Sequence, residues 1–133
     1  MDYFDYDEFA DIDIEHLLEQ SREIEEQLLE NHLLRIDEQL EKRERLHEDI
    51  LDELESKKGW YIERLETLYK QSRAREKREQ LKSKIEDLYQ EIRDEKRQNW
   101  LDQRDLEQER RDILRELEDL TTDDLISDLL KHL

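Results

Sequence analysis

Large apolar residues recur along this chain at steps of three and four, which is the spacing of one face of an α-helix. The longest regular run passes through Ile36, Leu40, His47, Ile50 and Leu54. Alternating steps of four and three keep such positions on a narrow seam that faces a partner helix, as in a coiled coil. The predicted fold is therefore all-α, a long helical hairpin or coiled coil.

The same spacing continues in the second half of the chain and defines a predicted oligomerisation seam. Its members are Ile36, Leu40, His47, Ile50, Leu54, Ile85, Leu88, Ile92, Leu106, Ile113 and Leu117. An earlier series through Ile14, Leu17, Ile24 and Leu28, with Ser21 in the gap, is read as the start of the first helix. Because further leucines widen the apolar face beyond the seam, we expect a homo-oligomer or a complex with a helical partner.

Helix breakers are scarce, since the chain has one glycine and no proline. Gly59 follows two lysines, a pattern typical of a helix C-terminus, and is the predicted hinge. One helix would then cover roughly residues 14–58 and a second roughly residues 60–120, within a hairpin over 14–120. The alternative hinge is 70–80, because no large apolar residue lies between Tyr69 and Leu81.

The two ends of the chain differ in pattern from this hairpin. Residues 1–13 interleave six acidic residues with aromatic ones and are predicted to be a flexible acidic tail that orders on a partner. Near the other end, Thr121-Thr122-Asp123-Asp124 resembles a helix start, with a hydroxyl cap and acids in the first turn. We therefore predict a separate short amphipathic helix within 121–133.

Charge is the dominant feature of the composition, since 48% of the residues are charged and the net charge is −18. Residues 1–58 alone carry −14, whereas the stretch from Lys70 to Lys84 carries +5. So acidic a chain is repelled by nucleic acid and by anionic membranes. We expect neither as a partner, and no membrane insertion, because long apolar runs are missing. With no signal-peptide pattern, the expected location is cytoplasmic.

The residues needed for most enzyme chemistry are missing. Cysteine is absent, and a single glycine cannot build a phosphate-binding loop. We therefore expect no enzyme activity, no cofactor and no small-molecule substrate. One weaker alternative remains, a metal site on Glu44 and His47, because ferritin-like bundles place Glu and His three residues apart on an inward face.

The function predicted from these features is that of a non-enzymatic coiled-coil adaptor or structural subunit. Partner contacts are assigned to the two ends of the chain, where apolar residues depart from the seam. These residues are Tyr3, Phe4, Tyr6, Phe9, Leu125, Ile126, Leu129 and Leu130. The alternative is an acidic regulator that mimics or sequesters the ligands of a basic protein surface.

Overall fold

The protein is a hairpin of two long helices that pack against each other. The computed structural model describes residues 3–71 and 75–132, with side chains from residue 13 onward. Helix α1 runs over Tyr3–Tyr69 and helix α2 over Arg75–Lys131. The predicted all-α hairpin is confirmed. Within the described ranges, neither helix has a stretch that is apolar enough over a sufficient length to cross a membrane.

The chain does not turn at Gly59, so the predicted hinge there is wrong. Gly59 lies inside α1 with a negative φ, and α1 continues for ten more residues to Tyr69. The chain reverses between Tyr69 and Arg75, within the alternative range. A glycine inside a helix costs about 1 kcal/mol, whereas burying one large apolar side chain contributes about 1.5–3 kcal/mol. Continuing α1 keeps Tyr61, Leu65 and Leu68 half-buried.

The last turn of α1 tightens before the reversal. The Lys70 amide donates to the Thr67 carbonyl at 3.3 Å, and the Gln71 amide donates to the Leu68 carbonyl at 3.1 Å. These i→i−3 bonds satisfy carbonyl groups that have no partner at the end of an α-helix.

The separate C-terminal helix predicted within 121–133 is also wrong, because α2 continues without a break to Lys131. The Thr121 hydroxyl donates to the Leu117 carbonyl at 3.0 Å. This bond to the preceding turn occupies the hydroxyl that would otherwise cap a new helix.

The N-terminal segment begins α1 at Tyr3 rather than near residue 14. The predicted contact residues Tyr3, Phe4, Tyr6 and Phe9 lie outside the residues whose side chains are described. Their role in partner binding stays a prediction.

Contacts between the helices divide the hairpin into two units. Unit 1 comprises Met1–Asp37 and Glu107–Leu133, and unit 2 comprises Glu38–Leu106. In unit 2, Leu54, Leu88 and Ile92 form a buried cluster against Ile50 and Tyr61. In unit 1, Ile36 and Ile113 are the buried apolar residues among those described.

The predicted seam lies at this interface. All eleven of its residues are buried or half-buried. The 3-4 spacing therefore serves helix pairing within one chain, and these residues are not a free surface for a second copy.

Candidate functional site

Unit 1 exposes an unusual number of large aliphatic side chains, arranged as one stripe on each helix. We call the two stripes together the outer aliphatic surface, and each member is between 51% and 67% exposed. The α1 members are Ile14, Leu17, Leu18, Ile24 and Leu28, and the α2 members are Leu125, Ile126, Leu129 and Leu130. Leu34 of unit 1 is also exposed, at 62%, but lies outside these stripes. In unit 2 the exposed large apolar residues are mostly aromatic, and Leu46 is the exposed aliphatic among them.

The interface between the helices near these stripes is polar. Arg22 Nη1 lies 2.6 Å from Asp124 Oδ1, and Arg22 Nη2 donates to Ser127 Oγ at 3.5 Å. All three residues are half-buried. Beside the stripes, polar side chains therefore lie between the helices, while the aliphatic side chains of the stripes face water.

The stripe on α2 follows from its helical spacing. Leu125 and Leu129, like Ile126 and Leu130, are four residues apart and so lie one above the other on the helix surface. Asp124 and Ser127 take the positions that face α1. The predicted contact residues Leu125, Ile126, Leu129 and Leu130 are thus all accessible to a partner.

Unit 1 also carries nearly all of the net charge. Its residues include 22 acidic and six basic side chains, for a net charge of −16, whereas unit 2 has 19 acidic and 17 basic ones, for −2. The exposed aliphatic residues therefore lie in a strongly acidic surface.

The sequence model of one family covers almost the whole hairpin. The model described as "Family of unknown function (DUF8104)" matches residues 1–130. The chain belongs to this family. No curated protein and no solved structure matches it. The match includes both helices and both units, so the outer aliphatic surface lies within the region that the family shares.

Unit 2 of the DUF8104 hairpin contains a polar network within its seam. Arg43 Nη2 lies 2.9 Å from Glu95 Oε1, and Arg43 Nε lies 2.9 Å from Asp102 Oδ2. His47 Nδ1 is 3.1 Å from the same Glu95 oxygen. Asn99, one helical turn after Glu95, is also buried, and its Oδ1 accepts no hydrogen bond from the described residues. Polar groups in a helical seam weaken the pairing but restrict its register.

The network stabilises the charged forms of two of its members. Burial lowers the pKa of Arg43, but its hydrogen bonds with Glu95 and Asp102 outweigh that effect and raise the pKa above its ordinary value. Hydrogen bonds from Gln98 and Arg43 lower the pKa of Asp102. The ion pair between Arg43 and Asp102 is therefore favoured in the folded hairpin.

The structure does not bring Glu44 and His47 together as a metal site. Glu44 accepts a hydrogen bond from Gln103, whereas His47 contacts Glu95. Among the described residues, no group of three or more His, Asp or Glu side chains is placed to hold a metal ion.

The basic stretch near the turn contacts aromatic rings. Arg78 and Lys82 lie over Tyr69, at 5.1 and 5.5 Å from the ring centre, and Lys84 lies over Tyr61 at 5.5 Å. Such contacts contribute about 0.5–1 kcal/mol at exposed positions. These cations are therefore engaged within unit 2.

Sequence reasoning missed that the series from Ile14 to Leu28 faces away from α2. The half-buried residues in this part of α1 are instead Arg22, Leu29, His32 and Leu33. Arg22 and His32 contact Asp124 and Glu109 of α2. A signal was present, because Leu28 and Ile36 are eight residues apart, which breaks the heptad phase. The early series and the main seam therefore occupy different faces of one helix.

Proposed function

We propose that this chain is a non-enzymatic coiled-coil adaptor or structural subunit that binds a helical protein partner through the outer aliphatic surface. One observation carries the proposal. Near the two stripes, Arg22, Asp124 and Ser127 lie between the helices, while the nine Leu and Ile side chains of the stripes face water. Exposed aliphatic patches beyond a few hundred Å² typically mark protein–protein contacts, because burying them removes apolar surface from water.

The helical nature of the partner follows from the shape of the surface. Each stripe runs along a helix and presents residues at helical spacing. An amphipathic helix laid against such a stripe matches its apolar positions every three or four residues.

A second candidate, the acidic regulator, is favoured by the −16 net charge of unit 1. In that case the partner is a basic surface that recognises charge, and the aliphatic side chains contribute little. Salt separates the two functions, since the Debye length falls from about 10 Å at 0.1 M to about 3 Å at 1 M. Contacts through aliphatic side chains persist at high salt, whereas charge mimicry is lost.

The test compares proteins that co-purify with the full-length chain in its native cells. The quadruple variant Leu17→Gln, Ile24→Gln, Ile126→Gln and Leu129→Gln removes two apolar side chains from each stripe. All four are exposed, so the hairpin is expected to fold with unchanged helicity. The matched control is Leu46→Gln, an equally exposed leucine on α1 in unit 2.

The adaptor function predicts a partner that survives washing with 1 M salt, is lost from the quadruple variant and is retained by the control. A partner lost in high salt but retained by the quadruple variant instead supports the acidic regulator. Retention of every partner by the quadruple variant at both salt concentrations contradicts the adaptor proposal.

A further inference from the structure

The exposed series on α1 has the regular spacing of a second coiled-coil face. Ile14, Leu17, Ser21, Ile24 and Leu28 follow one another at steps of three, four, three and four. From here on, the α1 stripe means these five residues, which include Ser21 and leave out Leu18, and all five are exposed. Because α1 pairs with α2 through other positions, such as Leu29 and Leu33, this helix carries two heptad faces and α2 covers one of them.

The geometry of the α1 stripe fits one helix as its occupant. Steps of three and four place the apolar side chains as knobs for the holes of a facing helix. From Ile14 to Leu28 the stripe extends about 21 Å along α1, at 1.5 Å per residue. A partner helix of about two to three heptads covers that distance.

The charge around the stripe defines the chemistry of that helix. Arg22 is the only Lys or Arg between Asp13 and Asn31, a segment that contains seven acidic residues, and Arg22 pairs with Asp124 across the hairpin. The positions that flank the stripe in its heptad are Asp13, Leu18, Gln20, Glu25 and Gln27, so two of the five are acidic and none is basic. These two carboxylates, within a segment that has one basic residue, favour a partner with Lys or Arg on its flanks.

A second copy of this chain is a poor occupant. Pairing two α1 stripes would bring together two units that each carry a net charge of −16. The basic stretch of another copy does not serve either, because Ile85 is buried and Leu81 is half-buried within unit 2.

We propose that the α1 stripe binds an amphipathic helix of another protein, with aliphatic residues at its core positions and Lys or Arg on its flanks. This proposal rests on the adaptor function and specifies the partner. Ser21 is the gap in the stripe, a small polar residue where the spacing calls for an aliphatic one. Filling it with leucine lengthens the apolar face without affecting the contacts between α1 and α2.

The test measures binding of designed helical peptides to the full-length chain by isothermal titration calorimetry at 0.15 M salt. The probe is a peptide of about 21 residues, three heptads, with Leu at its core positions and Lys on its flanks. A first control peptide replaces every flanking Lys by Glu. A second control peptide keeps the Lys residues and replaces every core Leu by Gln.

The proposal predicts that the Leu/Lys peptide binds about tenfold or more tightly than either control peptide, since both the apolar core and the charge are needed. The double variant Leu17→Gln/Ile24→Gln weakens its binding at least about tenfold, as expected when central apolar anchors are removed. Ser21→Leu strengthens it by severalfold, and Leu46→Gln leaves it unchanged.

Any one of four results overturns the proposal. The first is that the Leu/Glu peptide binds as well as the Leu/Lys peptide. The second is that the Leu17→Gln/Ile24→Gln variant binds the Leu/Lys peptide as tightly as the native chain does. The third is a stable dimer of the chain, measured by sedimentation, that the same double variant dissolves. Fourth, if a native partner depends on the outer aliphatic surface but the Leu/Lys peptide does not bind, the basic-helix assignment fails while the adaptor function stands.

Discussion

Replacing Gly59 by alanine tests the continuity of α1 at the position where the sequence predicts a hinge. Gly59 has helical backbone within α1, and its φ is not positive. A Cβ placed there meets no atom within 4 Å. The substitution therefore introduces neither a clash nor a new packing contact, and its effect comes from the backbone alone.

The expected magnitude follows from helix propensity. Alanine is about 0.8–1.0 kcal/mol more favourable than glycine inside a helix, partly because it restricts the unfolded chain. We expect Gly59→Ala to raise the free energy of unfolding by about 0.5–1 kcal/mol, which for a chain of this size raises the Tm by about 2–4 °C. Gly59→Pro is the opposing variant, and it lowers stability by about 3 kcal/mol because it removes a helical hydrogen bond.

The measurement is thermal and urea unfolding followed by circular dichroism at 222 nm. If Gly59 instead capped a helix in the left-handed conformation, alanine would lower stability by about 1 kcal/mol. A lower Tm for Gly59→Ala than for the native chain would therefore refute a continuous α1.

Three further substitutions test the contacts inside the hairpin. Arg43→Ala leaves the half-buried Glu95 carboxylate without its guanidinium partner and should lower the free energy of unfolding in urea by about 2–3 kcal/mol. The control Arg45→Ala, at an exposed position, should lower it by less than about 0.5 kcal/mol. Equal effects of the two variants would argue against the network. Because the pKa of Asp102 is lowered in the folded state, its carboxylate stabilises the fold above the ordinary pKa of 3.8, and that contribution is lost as the pH falls through the folded pKa. Asp102→Asn should therefore be less stable than the native chain at pH 7, with a difference that shrinks below pH 3.8, and a difference that is constant with pH would contradict this linkage. Thr121→Ala should leave the Tm unchanged or slightly higher, since the hydroxyl bonds to the preceding turn, and a loss of about 1 kcal/mol would instead indicate a helix cap.

The helix pairing could be predicted from the sequence because its signal is repeated many times. Steps of three and four identify Ile36, Leu54, Ile92 and Ile113 as interface residues, and all four are buried. Each of these positions indicates the same helix face, so a single polar residue in the series does not obscure the pattern. The pairing of Arg43 with Glu95 and Asp102 was not predicted, because it depends on the alignment of two helices that the turn determines.

The turn could not be located from local signals alone. Gly59 is a strong local signal for a helix end, but its cost inside a helix is small beside the burial that a longer α1 achieves at Tyr61, Leu65 and Leu68. Thr121 and Thr122 wrongly predicted the start of a separate helix for a similar reason. A Thr hydroxyl can cap a new helix, or it can bond to a carbonyl of the helix in which it already lies.

The outer aliphatic surface was predicted only in part. The sequence predicts the α2 stripe as a contact surface, but for the series from Ile14 to Leu28 it predicts only the start of the first helix. Spacing alone shows that Ile24 and Leu28 belong to a heptad face. It does not show which face of the helix turns towards α2, and the structure supplies that information by placing Leu29 and Leu33 there instead.

Site-specific photo-crosslinking in the native cells tests the central claim most directly. A photoreactive amino acid is placed at Ile24 on α1, at Leu129 on α2, or at the control position Leu46. The adaptor function predicts crosslinks from positions 24 and 129 to the same partner protein, with little or none from position 46. Equal crosslinking at all three positions, or none at positions 24 and 129, would contradict the assignment of the outer aliphatic surface as the binding site.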